Sequence, residues 1–238
     1  MPHTCKSGLE LAAPFVRRDL RRAARAWQLG RDYHGRPLAA PVQLTETDEV
    51  SKPAVSVPKF VDDAAIYFRC GDILRYAHHA EYGWVRYSVY KRELDPATKS
   101  IGIITVPQNV KTCRKNDCGH LHTCQRLAED LKGFLQGAFP AATVTLRNQA
   151  NETVLGSYAR LVLAKQMICN PSTFCMLPAV ASQGQGIVVY SQRLYPWVTK
   201  AAKAEGSQLK VLNDTFLSMK QVVGGHMNVE KIVKWLRA

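Results

Sequence analysis

The sequence has no apolar run long enough to cross a membrane, which takes about 20 consecutive apolar residues. Its first thirty residues also lack the apolar core of a secretory signal. No membrane anchor is visible in the chain, and these two absences alone predict a cytoplasmic protein. Acidic residues are scarce as well, 19 against 32 Lys plus Arg, which gives a net charge of +13. This balance favours anionic partners such as nucleic acid, an anionic membrane surface or phosphorylated small molecules.

Cysteine is more frequent than a cytosolic enzyme of this size needs, with seven in 238 residues. Clustered cysteines indicate disulfides and therefore an oxidising compartment. This inference conflicts with a cytoplasmic location, and the conflict suggests an incomplete N-terminus. Glycosylation acceptor patterns beginning at Asn151 and Asn213 weakly favour the secretory side. Five of the seven cysteines form two clusters, Cys113, Cys118 and Cys124, and Cys169 and Cys175.

The first cysteine cluster also contains two histidines, His120 and His122, in the spacing C-x4-C-x-H-x-H-x-C. Soft ligands at this density suggest zinc, whose structural sites take four Cys or His ligands. The segment lacks the paired two-residue loops of a zinc finger, however. Disulfides and free thiols therefore remain as alternatives to a metal site.

Residues 1–59 are predicted to be a basic N-terminal segment and a Pro-rich linker, incomplete or partly disordered. Val16, Leu20, Ala23 and Trp27 recur at helical spacing, which predicts an amphipathic helix with a solvated basic face. A nucleic-acid or membrane patch and an Arg-rich transit peptide are the alternatives. Proline recurs between residues 37 and 58, which is typical of a linker.

Residues 60–238 are predicted to form an α/β domain. Apolar β-type runs cover residues 64–69, 100–106, 142–146, 186–190 and 208–212, with a shorter run at 167–169. Helical patterns occur at residues 121–135, from Asn151, from Pro171 to Ala181, and after Asn228. Strands alternating with helices predict a three-layer, Rossmann-like domain with a mostly parallel sheet. Ligands of such domains bind at the carboxyl ends of the strands.

The first predicted strand runs into Phe68-Arg69-Cys70-Gly71-Asp72. A guanidinium stays charged and matches a diphosphate with a fork of donors, and Gly71 allows close backbone approach. Asp72 is placed to orient the arginine. An Arg-Asp pair that closes the strand end is the alternative.

A second polar segment, Asn170-Pro171-Ser172-Thr173-Phe174, follows the run at 167–169 and opens a helix. A helix N-terminus carries free N–H groups and partial positive charge, and Ser172 and Thr173 add donors there. The alternative is a capped helix without a ligand.

Together these segments resemble fucosyltransferases. The first is similar to the His-x-Arg-Arg-Gly-Asp motif of α-1,2-, α-1,6- and protein O-fucosyltransferases, and residues 158–181 are similar to their second motif, a Ser-Ser/Thr-Phe turn after a buried strand. The resemblance implies the C-terminal, GDP-fucose-binding half of a GT-B-type glycosyltransferase. It also implies Golgi or secretory-lumen location, a glycan or glycoprotein acceptor, no cofactor or metal, and no nucleic acid partner. Its implied site residues are Arg69, Gly71, Asp72, Ser172, Thr173 and Phe174.

The chain departs from the family pattern at three places. Tyr67 stands near the usual histidine, Cys70 replaces the second motif arginine, and residues 176–178 replace a Trp-Trp pair. The loss of a guanidinium at Cys70 makes nucleotide-diphosphate binding a firmer expectation than any linkage.

The mechanism implied is inverting transfer of fucose to an acceptor hydroxyl, with Arg69 and the helix start stabilising the departing diphosphate. Candidate bases are Glu81, His79 and Glu152. The aromatic segment Tyr82-Gly83-Trp84 suits either the core or stacking on a sugar or guanine. A noncatalytic nucleotide-sugar-binding pseudoenzyme, or a basic zinc or nucleic-acid module, is the alternative function.

Overall fold

The structure is a computed structural model. It describes residues 17–29, 31, 61–75, 80–105, 119–148, 154–189, 198, 202 and 207–238. Among these residues, no helix is long and apolar enough to span a bilayer. The predicted linker at residues 37–58 lies outside the described residues, so its structure stays a prediction.

The helices and strands alternate along most of the described chain. A first helix, α1, covers residues 17–28. Then follow β1 (Ala64–Tyr67), a 3-10 turn (Asp72–Arg75), β2 (Gly83–Val85), α2 (Tyr87–Glu93), β3 (Ser100–Ile104), α3 (Gly119–Ala138), β4 (Thr143–Arg147) and α4 (Val154–Leu163). The chain continues with β5 (Gln166–Cys169), α5 (Thr173–Ala181), β6 (Gln185–Val189), β7 (Leu209–Leu212), β8 (Phe216–Ser218), α6 (Met219–Gly224) and α7 (Val229–Arg237).

Six strands form one parallel sheet in the order β4-β3-β1-β5-β6-β7. If only the strands of this sheet are numbered along the chain, the order is 3-2-1-4-5-6, that of the Rossmann fold. β2 and β8 pair separately and antiparallel. The Rossmann-like α/β prediction is confirmed at this level.

The sheet is covered on both faces, which explains why its central strands have continuous apolar sequences. β1 is buried at every position. Ile66 and Phe68 pack on one face with α2, α3 and α7, whereas Ala65 and Tyr67 pack on the other with α4 and α5. The predicted three layers are therefore present.

α1 packs against the outside of α4 and α5. Trp27 and Ala24 lie in a small core with Ala159, Val162 and Ala181. The predicted amphipathic helix is confirmed, and Arg18, Arg22 and Arg25 are exposed as expected.

Two arginines of α1 depart from the expected solvated basic face. Arg17 donates to the carbonyl of Val180 at 3.0 Å, and Arg21 donates to the carbonyls of Ala181, at 2.8 Å, and Ser182. These carbonyls end α5 and lack helical partners, so the arginines satisfy acceptors that a C-terminus leaves open.

The other predicted elements agree with the structure within a few residues. The closing helix is capped as predicted, with Asn228 Oδ1 accepting from the Lys231 N–H at 3.0 Å. The predicted cap at Asn151 lies outside the described residues. Four elements of three to seven residues were not predicted, because they are too short to show a periodicity: β2, α2, β8 and α6.

A buried cluster of charged side chains lies against β3 and explains why residue 102 of this strand is a glycine. Asp62 is 5% exposed and pairs with Arg147 at 2.6 Å and with Arg160 at 3.6 Å. A Cβ at Gly102 would overlap with the Asp62 carboxylate. Gly102 therefore keeps open the space that the carboxylate occupies.

We expect Gly102→Ala to lower the free energy of unfolding by about 1–3 kcal/mol, the usual cost of overfilling a packed site. Chemical denaturation measures the change. Gly133→Ala in α3 is the control, because an added Cβ there meets no atom within 4 Å and alanine favours a helix. If Gly102→Ala is as stable as Gly133→Ala, the Asp62 carboxylate does not need the space that Gly102 leaves open.

Candidate functional site

The candidate site lies where β1 and β5 end side by side. Their last residues, Tyr67 and Cys169, are partners in the parallel register. From β1 the sheet grows through β3 and β4 in one direction, and from β5 through β6 and β7 in the other. This reversal of strand order makes a crevice at the carboxyl ends, where ligands of doubly wound folds bind.

Arg69 and Ser172 meet in this crevice. Arg69 follows β1 by two residues and is half-buried, whereas Ser172 follows β5 by three and is 1% exposed. Arg69 Nη1 donates to Ser172 Oγ at 3.3 Å across 103 residues of sequence. Ser172 also caps α5, since its Oγ accepts from the Phe174 N–H at 3.3 Å. The structure thus joins the two sequence segments.

The β2 segment holds Arg69 from the other side. The Arg69 guanidinium lies over the ring of Tyr82, 4.6 Å from its centroid. Trp84 Nε1 donates to the Arg69 carbonyl at 2.7 Å, and the Trp84 indole is fully buried and stacked on Phe68. Trp84 is therefore core, whereas Tyr82 contacts the guanidinium.

A disulfide follows Arg69 directly. Cys70 is bonded to Cys124 of α3, and the Gly71 N–H donates to Cys124 Sγ at 2.8 Å. Gly71 has a φ of +92°, so it is required for backbone conformation. Its N–H is already engaged by sulfur, and its expected role as a point of close backbone approach to the ligand stays a prediction. Asp72 begins the 3-10 turn, but its side chain lies outside the described part of the structure.

A second disulfide closes the other half of the site. Cys169 and Cys175 are bonded across six residues and enclose the turn that contains Ser172. Disulfide formation by this cluster is therefore confirmed. Each of the two polar segments of the candidate site is therefore held by its own disulfide.

The zinc alternative loses one of its ligands. Cys124 is committed to Cys70, while Cys113 and Cys118 lie outside the described residues. His120 and His122 lie in the first turn of α3. Within the described ranges, no group of three or more His, Cys, Asp and Glu side chains is placed to hold a metal.

Thr173 and Phe174 begin α5 in different surroundings. Thr173 is exposed at the first helical position. The Phe174 ring stacks on Tyr67 with centroids 4.7 Å apart and meets Tyr158 edge-on, also at 4.7 Å. This packing anchors the start of the helix to β1.

A small cleft opens beside Ser172, with a cavity volume of about 10 Å³. Five of its lining residues are apolar or sulfur-containing, and the two with polar side chains are Asn170 and Ser172. The full lining is Cys169, Asn170, Ser172, Met176, Val188, Val189 and Val198.

Asn170 was not among the predicted site residues. It is 0% exposed, and its Oδ1 accepts from the Tyr90 hydroxyl at 2.8 Å. Its position gave a usable signal, because it is the first polar residue after the buried run 167–169 and lies at a strand's carboxyl end. Tyr90, 80 residues away in sequence, gave none.

The candidate bases are only partly described. Glu81 is half-buried next to Tyr82, whereas His79 and Glu152 lie outside the described residues. The assignment of a base therefore stays a prediction.

The assembled groups are suited to bind an anion. A guanidinium, a buried hydroxyl and the N-terminus of a nine-residue helix converge at one crevice, and each attracts negative charge.

Comparisons with models of protein families, with curated proteins and with solved structures found no match for this chain.

The two disulfides are expected to differ in their contribution to stability. Cys70–Cys124 spans 54 residues and Cys169–Cys175 spans six. From loop-closure entropy, replacing both cysteines of a pair by serine should cost about 4 kcal/mol for the long loop and about 2 kcal/mol for the short one. Denaturant titration of the two double variants measures both costs, and a larger cost for the short loop would contradict the prediction.

Proposed function

We propose that the protein is a glycosyltransferase that transfers a sugar, fucose from GDP-fucose, to a hydroxyl of a glycan or glycoprotein. In this proposal the domain is the donor-binding half of a GT-B-type enzyme and works in the secretory lumen. The observation that supports this proposal most is the hydrogen bond between Arg69 and Ser172, which lies where the strand order of the sheet reverses.

The geometry supports a diphosphate as the ligand. Arg69 brings a charged fork of donors that matches phosphate oxygens. Ser172 and the N-terminus of α5 bring a hydroxyl and the positive end of a helix dipole to the same place. The low exposure of Ser172 strengthens these interactions, because charge is less screened there than in water.

The proposed transfer makes use of this placement. The acceptor oxygen attacks the anomeric carbon of fucose from the side opposite to the diphosphate, and the bond from that carbon to the diphosphate oxygen breaks. GDP leaves with the bonding electrons, so negative charge grows on the oxygen nearest the phosphates. Arg69 and the start of α5 stabilise this charge. The acceptor's proton passes to a base, for which Glu81 is the described candidate.

The choice of GDP-fucose rests on the two motif resemblances. Cys70 stands where relatives carry a second arginine, and here it forms a disulfide with Cys124. The position therefore serves the fold, and the site has one cationic donor fewer than the family pattern. For this reason the proposal names a donor and leaves the linkage open.

A noncatalytic nucleotide-sugar binder would use the same crevice and differ only in turnover. The zinc-module alternative is less well supported, because Cys124 is in a disulfide. Release of GDP from GDP-fucose in the presence of an acceptor, measured with purified protein, distinguishes an enzyme from a noncatalytic binder.

We expect GDP to raise the melting temperature of the wild-type protein and Arg69→Ala to remove this effect, because the substitution removes the charged donors from the diphosphate. Loss of a charged hydrogen-bonding partner corresponds to about 10-fold to 100-fold weaker binding. For Arg69→Lys, GDP should raise the melting temperature by an intermediate amount, since lysine keeps the positive charge but lacks the forked donors of a guanidinium. Thermal unfolding over a series of GDP concentrations measures the effect.

Arg126→Ala is the matched control, since Arg126 is an exposed arginine paired with Glu230 on the surface of α3. It should respond to GDP as the wild type does. Absence of any GDP response in the wild type would refute the donor site. Equal protection by UDP would leave a general diphosphate site and remove the fucose assignment.

A further inference from the structure

We propose that Asn170 is a ligand-binding residue whose amide nitrogen donates to a phosphate oxygen of the nucleotide, and that Tyr90 is the positioning residue that orients this amide. The inference rests on the proposed function, because it assigns a further contact to the same site. Neither residue belongs to the groups on which that function was argued.

The first observation is an unsatisfied donor. Asn170 is 0% exposed, and its Nδ2 has no hydrogen-bond partner among the described residues. A buried donor left without a partner destabilises the folded state, because it has lost its hydrogen bonds to water and gained none in return. Most buried polar groups are paired, so an exception calls for a specific explanation. A ligand that supplies the missing acceptor explains it.

The second observation is the position of this donor. Asn170 follows the last residue of β5 and precedes Ser172, the cap of α5, by two residues. Both side chains line the same cleft, whose remaining walls are largely apolar. In such surroundings the amide N–H forms a strong hydrogen bond to an acceptor, because little water is present to compete for it.

Other buried groups without a partner do not share this position. In the described part of the chain they are found on Trp27, Arg86, Thr105, Ser182 and Gln183. None of these residues lines the cleft, and Asn170 does. The unpaired amide thus coincides with the crevice of the candidate site.

Tyr90 determines which end of the amide accepts. Its side chain is fully buried in α2, and its hydroxyl donates to Asn170 Oδ1 at 2.8 Å. Burial raises the pKa of Tyr90 above its usual range, so the phenol stays protonated and remains a donor. With Oδ1 engaged by this proton, the NH₂ group is the end left for a ligand. An anionic oxygen is the acceptor that such a group favours.

The test is GDP binding by calorimetry with wild type, Asn170→Asp and Tyr90→Phe. Asn170→Asp keeps the acceptor for Tyr90 and replaces the donor by a carboxylate that repels phosphate. We expect GDP affinity to fall by about 10-fold or more, as for loss of a charge-assisted hydrogen bond. Tyr90→Phe keeps the ring in the core but frees the amide to rotate, and should weaken binding by a smaller factor.

A matched control is Gln183→Glu, the same amide-to-acid change. Gln183 Nε2 is also buried without a described partner, but it precedes β6 at the opposite end of the sheet. This variant should bind GDP as the wild type does. A loss of affinity equal to that of Asn170→Asp would overturn the inference, since the effect would then be general.

The pH dependence separates a lost contact from a damaged fold. At low pH the carboxyl introduced by Asn170→Asp becomes protonated and regains a donor, so the affinity ratio of wild type to variant should shrink from pH 8 to pH 5.5. A structural defect leaves this ratio unchanged, and an unchanged ratio would argue against the contact.

The outcomes also separate the inference from the proposed function. If wild type fails to bind GDP, both are wrong. If wild type binds GDP and Asn170→Asp binds within twofold of it, only the role of Asn170 is wrong. If Asn170→Asp does not fold, Tyr90→Phe decides, and unchanged affinity in that variant overturns the inference.

Discussion

The parallel pairing of β1 with β5 is the constraint on which the candidate site depends. It brings Tyr67 and Cys169 into register, and the residues that follow each strand then enter the same crevice. Arg69 and Ser172 are 103 positions apart in sequence, yet they form a hydrogen bond because their strands are neighbours in the sheet. The sheet thereby keeps a guanidinium beside a helix N-terminus.

The loops beyond these two strands are tied down on several sides. The Cys70–Cys124 disulfide connects the turn after Arg69 to α3, and Trp84 holds the Arg69 carbonyl. The Cys169–Cys175 disulfide closes the turn that contains Ser172. Because bound groups interact best with donors that are already in place, these ties reduce the ordering that a ligand would have to impose. The two disulfides thereby stabilise both halves of the candidate site.

Much of the architecture was predictable from the sequence. The α/β alternation, the three layers and the cap at Asn228 were predictable, because apolar period and capping residues are local signals. Arg69 and Ser172 were singled out by residue type, strand-end position and the family resemblance, and in the structure they form a hydrogen bond. The partner of Cys70 was not predictable, because Cys124 lies 54 residues away and its spacing to Cys113, Cys118 and the two histidines fits zinc as well as a disulfide. The inward-facing Arg17 and Arg21 were also missed, because a run of arginines looks equally solvated along its whole length.

The sequence by itself determined the strands of the parallel sheet, most of the helices that cover it, and the polar residues that follow β1 and β5. Only the tertiary structure decided that β1 lies between β3 and β5, that Tyr82 lies under the Arg69 guanidinium, and that Tyr90 reaches Asn170. The reason is physical: apolar period and capping are properties of neighbours along the chain. A contact across 80 or 103 residues depends instead on strand order and on packing of the whole core.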